Sequence, residues 1–376
     1  MNLYLHLNLD IPTHTTVLNW TKKQGISQFR TKEFYQREKW VLILDESIQF
    51  GNKKLLLVVA VPEHRCRHGN ALSYRDLTPL VLQVSDSWKS EDIVPVIKQH
   101  IDLTQIAYCI SDNGNNLTCA IKSLKCKHIQ DINHMFSLII QSVFGKNTLF
   151  NDYTKALSLL RAQKSMSKIA RIVPPNQRIM SRFMNLTPLF EWGMKMLHLL
   201  DTNQLTDHEK MVLSFLETFR EFIFDTYQIL IRLNNMQKIL KDKGFNVESA
   251  KEVRKEFSDM KSDNALKVNI QLDKYLIDLT SKAAGETICC SSDVIESCFG
   301  KYKEVVKGNK SVGITDLCLY MVSMMGKNSS EKTQKAMETV NIKQLKEWKI
   351  KNVPKTLFAE KTDINKKIDR TYFYKK

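Results

Sequence analysis

Three acids in this 376-residue chain are set apart by where they fall: Asp45, Asp112 and Glu296. Asp45 closes the apolar run WVLIL at 40–44, where an ionised group is costly unless it faces a site or a cation. Asp112 follows the apolar run IAYCIS at 106–111 and opens an Asp-Asn-Gly turn. Glu296 falls one turn into SDVIESCFGKYKEV, a helix that Ser291 or Ser292 can cap, on the side away from Ile295, Phe299 and Tyr302. Carboxylates at the ends of rigid elements are natural ligands for divalent cations. Two such ions about 3.5–4 Å apart hold the attacking and leaving oxygens of a phosphodiester in line. Singly, each acid has a plainer reading: a strand end facing solvent, an ordinary turn, an exposed helix position. As a pair, Asp45 and Asp112 share one sheet edge if their strands are parallel neighbours. The face of Glu296 also carries Gly300, which opens space one turn on, and Lys303, a cation for phosphate two turns on.

Positioning such acids takes rigid elements. WVLILDES at 40–47 reads as a strand buried on both faces. Gly51-Asn52 marks a turn into a second strand, KLLLVVAV at 54–61, and PLVLQVS at 79–85 makes a third. A helix runs from Ser90 to about His100, IAYCIS is the fourth strand, and DNGNN at 112–116 is a turn. A short helix, a short strand at 127–130 and a helix from Ile132 to Phe144 follow. That order predicts an α/β fold with an RNase H-like mixed sheet flanked by helices. Residues 150–285 turn nearly all-helical, with a Thr206/Glu209 capping box and Gly244 closing a long amphipathic stretch. Trp192 there is a core residue or a platform for a base. Residues 13–25 put Val17, Leu18 and Trp20 near one helical face, with Lys22 and Lys23 after them and Gly25 as a stop. They read as the last helix of a helix-turn-helix or as a packing helix. The expected division is a residual DNA-binding segment at 1–36, a catalytic domain at 37–149 and 286–326, an all-helical insertion at 150–285 and a basic tail at 327–376.

Composition sets the bounds. Lys plus Arg number 56 against 40 Asp plus Glu, a net +16, and such a surplus suits a polyanionic partner. The tail from 327 adds 14 Lys/Arg against 6 Asp/Glu, and either lies on DNA or is a solvated end. The eight cysteines show no regular framework, which suits a reducing cytosol. Residues 1–9 alternate without the apolar core of a signal peptide, and the apolar run at 55–62 is too short to span a bilayer, so a cytoplasmic protein is expected. His64, Cys66 and His68, or Cys119, Cys126, His128 and His134, can be read as zinc ligands, although neither set has the paired spacing of a structural site.

The strings WVLILDES, GNKKLLLVV, IAYCISDNGNNL, IQDINHMF at 129–136 and SSDVIESCFGKYK at 291–303 resemble a bacterial insertion-sequence transposase of the Asp-Asp-Glu type. The long second interval resembles families whose RNase H-like fold carries an all-helical insertion before the glutamate. Asp131 and His134 match the Asp/Cys-x-x-His signature that such families, hAT-type elements included, place after the second aspartate. Glu296 and Lys303 match the Glu-x6-Lys half of a wider signature whose Tyr and Arg are replaced here by Cys289 and Ser292. The resemblance spans roughly residues 10–310. It implies DNA transposition with Asp45, Asp112 and Glu296 holding two Mg²⁺ (or Mn²⁺), Asp131 and His134 in support, and Lys303, Lys22 and Lys23 on DNA. The partners implied are double-stranded transposon ends and target DNA, handled by a homodimer associated with the nucleoid. Full-length relatives carry a fuller amino-terminal domain, so end recognition is expected to be weakened here. A truncated, inactive DNA-binding relative and a nuclease that cuts without joining are the alternatives.

Overall fold

The computed structural model describes residues 11–30, 38–50, 53–177, 183–306 and 313–373. Residues 1–9 and the Gly51-Asn52 turn, both read from sequence above, lie outside them. The chain divides into two compact units, one of residues 1–66, 72–129 and 292–376, the other of 67–71 and 130–291. Unit 1 opens with α1 (His14–Arg30), β1 (Trp40–Phe50) and β2 (Lys53–Pro62), then the one-turn α2 (Glu63–Arg67) and β3 (Thr78–Ser85). Next come α3 (Ser90–Lys98), β4 (Ile106–Ser111), α4 (Asn115–Ser123) and β5 (His128–Gln130). The helices of unit 2 are α5 (Ile132–Phe144), α6 (Thr148–Lys164), α7 (Thr187–Asp201), α8 (Asp207–Leu213), α9 (Arg220–Lys243), α10 (Val247–Lys255) and α11 (Asp263–Ala283). Back in unit 1 are α12 (Asp293–Val306), α13 (Leu319–Ser323), α14 (Ser330–Thr339), α15 (Ile342–Asn352) and α16 (Leu357–Phe373).

Unit 1 is mixed α/β around a five-stranded mixed sheet of order β3-β2-β1-β4-β5. β1 pairs antiparallel with β2, β2 antiparallel with β3, and β1 parallel with β4. The near-continuous apolar run of β1 is what a central strand covered on both faces requires, and Val41 to Leu44 are fully buried. Trp40, Leu42 and Leu44 pack with Ile93 and Ile97 of α3 and Ala120 of α4. By strand alternation Val41, Ile43 and Asp45 point to the other face. α12 packs against β1, and its buried Ile295 and Phe299 stand outside the cluster that α3 and α4 build, so α12 covers the Val41–Ile43 face.

α1 departs from the sequence reading. It does not stop at Gly25 but runs on to Arg30, because Gly25 is where it meets α13: a Cβ there would stand 2.6 Å from the Leu319 carbonyl oxygen. α1 also packs on α14, α15 and β3. The segment is therefore a packing helix of the same compact unit as the sheet. The basic stretch from 327 likewise forms helices of unit 1.

Unit 2 is all-helical and starts at 130, so α5, expected to flank the sheet, is counted within it. Its core is aromatic: Tyr153 meets Phe190 at 5.1 Å and Phe219 at 5.6 Å between ring centroids, and Phe144 meets Phe150 at 5.9 Å. Trp192 is buried on α7, as a packing residue is. The Thr206/Glu209 capping box forms at α8, and Gly244 ends α9 at a φ of +65°, which favours glycine. A 3-10 segment, Ser214–Phe219, divides the stretch read from sequence as one helix.

Candidate functional site

The carboxyl ends of β1 and β4 lie side by side. Parallel pairing aligns Leu42 with Cys109 and Ile43 with Ile110. The pairing ends there, and Asp45 and Asp112 each follow two residues later, beyond the paired stretch of these neighbouring parallel strands. Asp112 is shaped by its own turn. The Gly114 N–H donates to Asp112 Oδ1 at 2.9 Å, and a Cβ at Gly114 would stand 2.8 Å from that oxygen. The buried Ser111 hydroxyl donates to the Asp112 carbonyl at 2.9 Å, so it accepts from His128 Nε2–H, also at 2.9 Å. Strand β4 is thus stitched to β5 where the acid emerges.

Glu46 follows Asp45 but faces the Leu42–Leu44 side. Burial raises its carboxyl above the usual range, Lys54, with its Nζ at 3.4 Å, opposes that rise, and the charge of Asp112 adds to it. Glu46 and Asp112 thus repel each other across neighbouring strand ends, and a cation there relieves the repulsion.

Glu296 is half-buried in the first turn of α12, where its N–H donates to the Ser292 carbonyl at 3.3 Å. The helix is held by Tyr74, whose hydroxyl bonds Ser297 Oγ at 2.5 Å while Lys301 Nζ stands 4.4 Å from its ring centroid. A Cβ at Gly300 would meet nothing within 4 Å and Lys303 is exposed, so α12 is open one and two turns beyond Glu296, while Glu296 Oε1 itself is buried. Among the described residues, Asp45, Asp112 and Glu296 do not form a group whose oxygens all lie within 4.8 Å of one another. One ion held by all three would need that. Two ions about 3.5–4 Å apart, with an acid bound to only one of them, do not.

The other sequence candidates have local partners. Lys22 Nζ pairs with Asp316 Oδ2 at 2.7 Å, both side chains largely covered, and Lys23 Nζ donates to the Met337 carbonyl at 3.0 Å. Both cations thus brace α1 against the carboxyl-terminal part of unit 1, which occupies them internally. In unit 2, Asp131 is buried and caps α5 by accepting the His134 N–H at 3.0 Å, and a carboxylate oxygen of Asp131 and a ring nitrogen of His134 also lie within 4.8 Å of each other. Neither His64-Cys66-His68 nor Cys119-Cys126-His128 gathers into a three-ligand group among the described residues. Sequence reasoning missed Glu46, Ser111, Gly114 and Tyr74. Only Gly114 carried a local signal, its place in the Asp-Asn-Gly turn.

No protein-family model matches the chain, and no curated protein matches it. Among the described residues, no helix is long and apolar enough to cross a membrane.

Proposed function

We propose that this chain is a metal-dependent DNA transposase of the Asp-Asp-Glu type, built on an RNase H-like sheet, that cleaves and joins DNA strands. The observation that carries the proposal is the parallel β1–β4 pairing, Leu42 with Cys109 and Ile43 with Ile110, beyond which Asp45 and Asp112 each follow two residues later. The helix bearing Glu296 packs against the same β1. The element order of unit 1 supports the RNase H-like reading.

The donor set suits Mg²⁺ or Mn²⁺: carboxylate oxygens alone, on a sheet edge and a helix. Asp45 and Asp112 would hold the ions jointly and Glu296 would complete the set. When bound, the metal supplies a Lewis acid that lowers the pKa of water and offsets charge on the phosphate. The chain's own residues orient this centre. Gly114 N–H fixes one Asp112 oxygen, Ser111 and His128 anchor the strand beneath it, and Tyr74 holds α12. Lys303 offers a cation to a neighbouring phosphate. Acting on two transposon ends suits a homodimer on double-stranded DNA, associated with the nucleoid in the cytoplasm.

The test uses purified protein, Mg²⁺ and duplexes carrying the sequences that flank its coding region. End cleavage followed by joining to a target is expected, with chelation by EDTA abolishing both. Cutting without joining would leave a nuclease; binding without cutting would leave an inactive relative. Asp45→Asn, Asp112→Asn and Glu296→Gln should each lower cleavage by about 100-fold or more while DNA binding persists. Wild-type cutting by any of them removes that residue from the site.

A further inference from the structure

Unit 1 contains a cavity of about 320 Å³ beside the amino end of β3, lined in part by basic side chains. Arg65 and Asp76 on its wall neutralise each other at 2.9 Å. Arg75, Lys327 and Lys332, also lining it, are exposed and make no ion pair among the described residues. Three uncompensated positive charges thus surround one hollow. Like charges repel, so stability alone does not explain their grouping.

The loop bearing two of them is held in place. The Gly326 N–H donates to the Tyr74 carbonyl at 2.8 Å, at a φ of +72° that favours glycine. Asn328 Oδ1 accepts from the Nε2 groups of Gln24 and Gln28 at 2.9 and 2.7 Å. Lys327 lies between these two anchors and Lys332 in the first turn of α14. A cation on a braced loop loses less freedom on binding than one on a free chain.

Tyr74 joins this hollow to the candidate catalytic helix. Its carbonyl holds Gly326, and its side chain holds Ser297 and Lys301 of α12. Those two positions lie one and five residues beyond Glu296, within about 8 Å along a helix axis. The hollow and α12 thus share Tyr74, with Ser297 and Lys301 about 100° and 140° around the helix from Glu296.

We infer that Arg75, Lys327 and Lys332 form a backbone-binding groove for duplex DNA, contacting phosphates and reading no bases. The inference rests on the proposed function and supplies the DNA contact that Lys22 and Lys23, engaged internally, do not.

The test measures affinity of the full chain for a random-sequence duplex across a salt series, without Mg²⁺ so that nothing is cut. The triple variant Arg75→Ala, Lys327→Ala, Lys332→Ala should weaken binding and reduce the slope of log K against log salt by about 3. Lys327→Ala alone should remove about 1. A control, Lys98→Ala, Lys122→Ala, Lys125→Ala, removes the same charge from exposed positions on and just after α3 and α4, and should leave the slope as in wild type. An unchanged slope in the triple variant, an equal loss in the control, no duplex binding by the wild type, or tighter binding of single-stranded RNA each overturns the groove. Slope loss confined to the triple variant supports it whether or not the protein cuts DNA. Failure to cut with Mg²⁺ restored counts only against the transposase reading.

Discussion

Glu46 and Asp45 are neighbours in sequence, yet β1 sends them to opposite faces, and only one of them has a metal-binding role in this proposal. The other carries a cost of burial. Because the folded-state carboxyl of Glu46 titrates above its ordinary value near 4.5, the native state binds the proton more tightly than the unfolded chain does. Stability from this group is therefore complete below about pH 4.5 and falls as pH rises through the higher folded-state value. Glu46→Gln should be close to neutral at pH 4 and should raise the urea midpoint at pH 7. A midpoint unchanged at pH 7, or lowered there, would show that the Lys54 pair outweighs burial. Gly114 makes a second residue-scale case. In Gly114→Ala the new Cβ displaces the Asp112 carboxylate, which can swing aside because it is only half-buried, so the unfolding midpoint should move little. Cleavage should fall by about 100-fold, the effect expected of a misplaced catalytic group. A normal rate would mean that Asp112 works in another rotamer. These residues differ in how far the sequence announced them. Asp45 and Asp112 were legible because an acid closing an apolar run is visible in one dimension. Tyr74 was not, since its importance comes from partners 223 and 227 positions away, Ser297 and Lys301.

Elements were read best where one period dominated. Strand β4 and helix α5 fall where their apolar residues placed them, since β4 is a short run buried at five of its six positions and the buried residues of α5 recur on one helical face. α1 was misjudged at Gly25 because its glycine answers to another element. Helix propensity alone would favour Gly25→Ala by about 1 kcal/mol. Here the Cβ meets the backbone of Leu319, which cannot rotate away, and overpacking of this kind costs about 1–3 kcal/mol. The collision should win, with a net loss of up to about 2 kcal/mol in urea unfolding. A gain in stability would show that α1 can slide off α13. The lysines beside it separate the two readings of the helix. Lys22→Ala strands Asp316, whose side chain is 18% exposed, and should cost about 1–3 kcal/mol while leaving DNA affinity and its salt slope unchanged. A recognition helix would give the reverse pattern: altered binding at constant stability.

On the scale of the whole molecule, the chain leaves unit 1 after β5, builds unit 2, and returns at 292. Each unit has its own core, so each has its own reason to fold. β1, β2 and β4 exchange their ladder bonds within unit 1, and the aromatic cluster around Tyr153 lies within unit 2. The stability of unit 2 can be probed without touching the carboxylates. Tyr153 is fully buried, donates its hydroxyl to the Leu189 carbonyl at 3.1 Å, and packs so closely that a Cβ at Gly193 would stand 2.5 Å from its oxygen. Tyr153→Ala removes both the ring and that bond, and large aromatic truncations in cores cost about 3–5 kcal/mol. Native-state hydrogen exchange should then show faster amide exchange across 130–291, with protection in β1 and β2 kept. Loss of protection by the same free energy in both units would show instead that the molecule folds as one cooperative block. Unit 2 would then act on the Asp45 and Asp112 strand ends through stability.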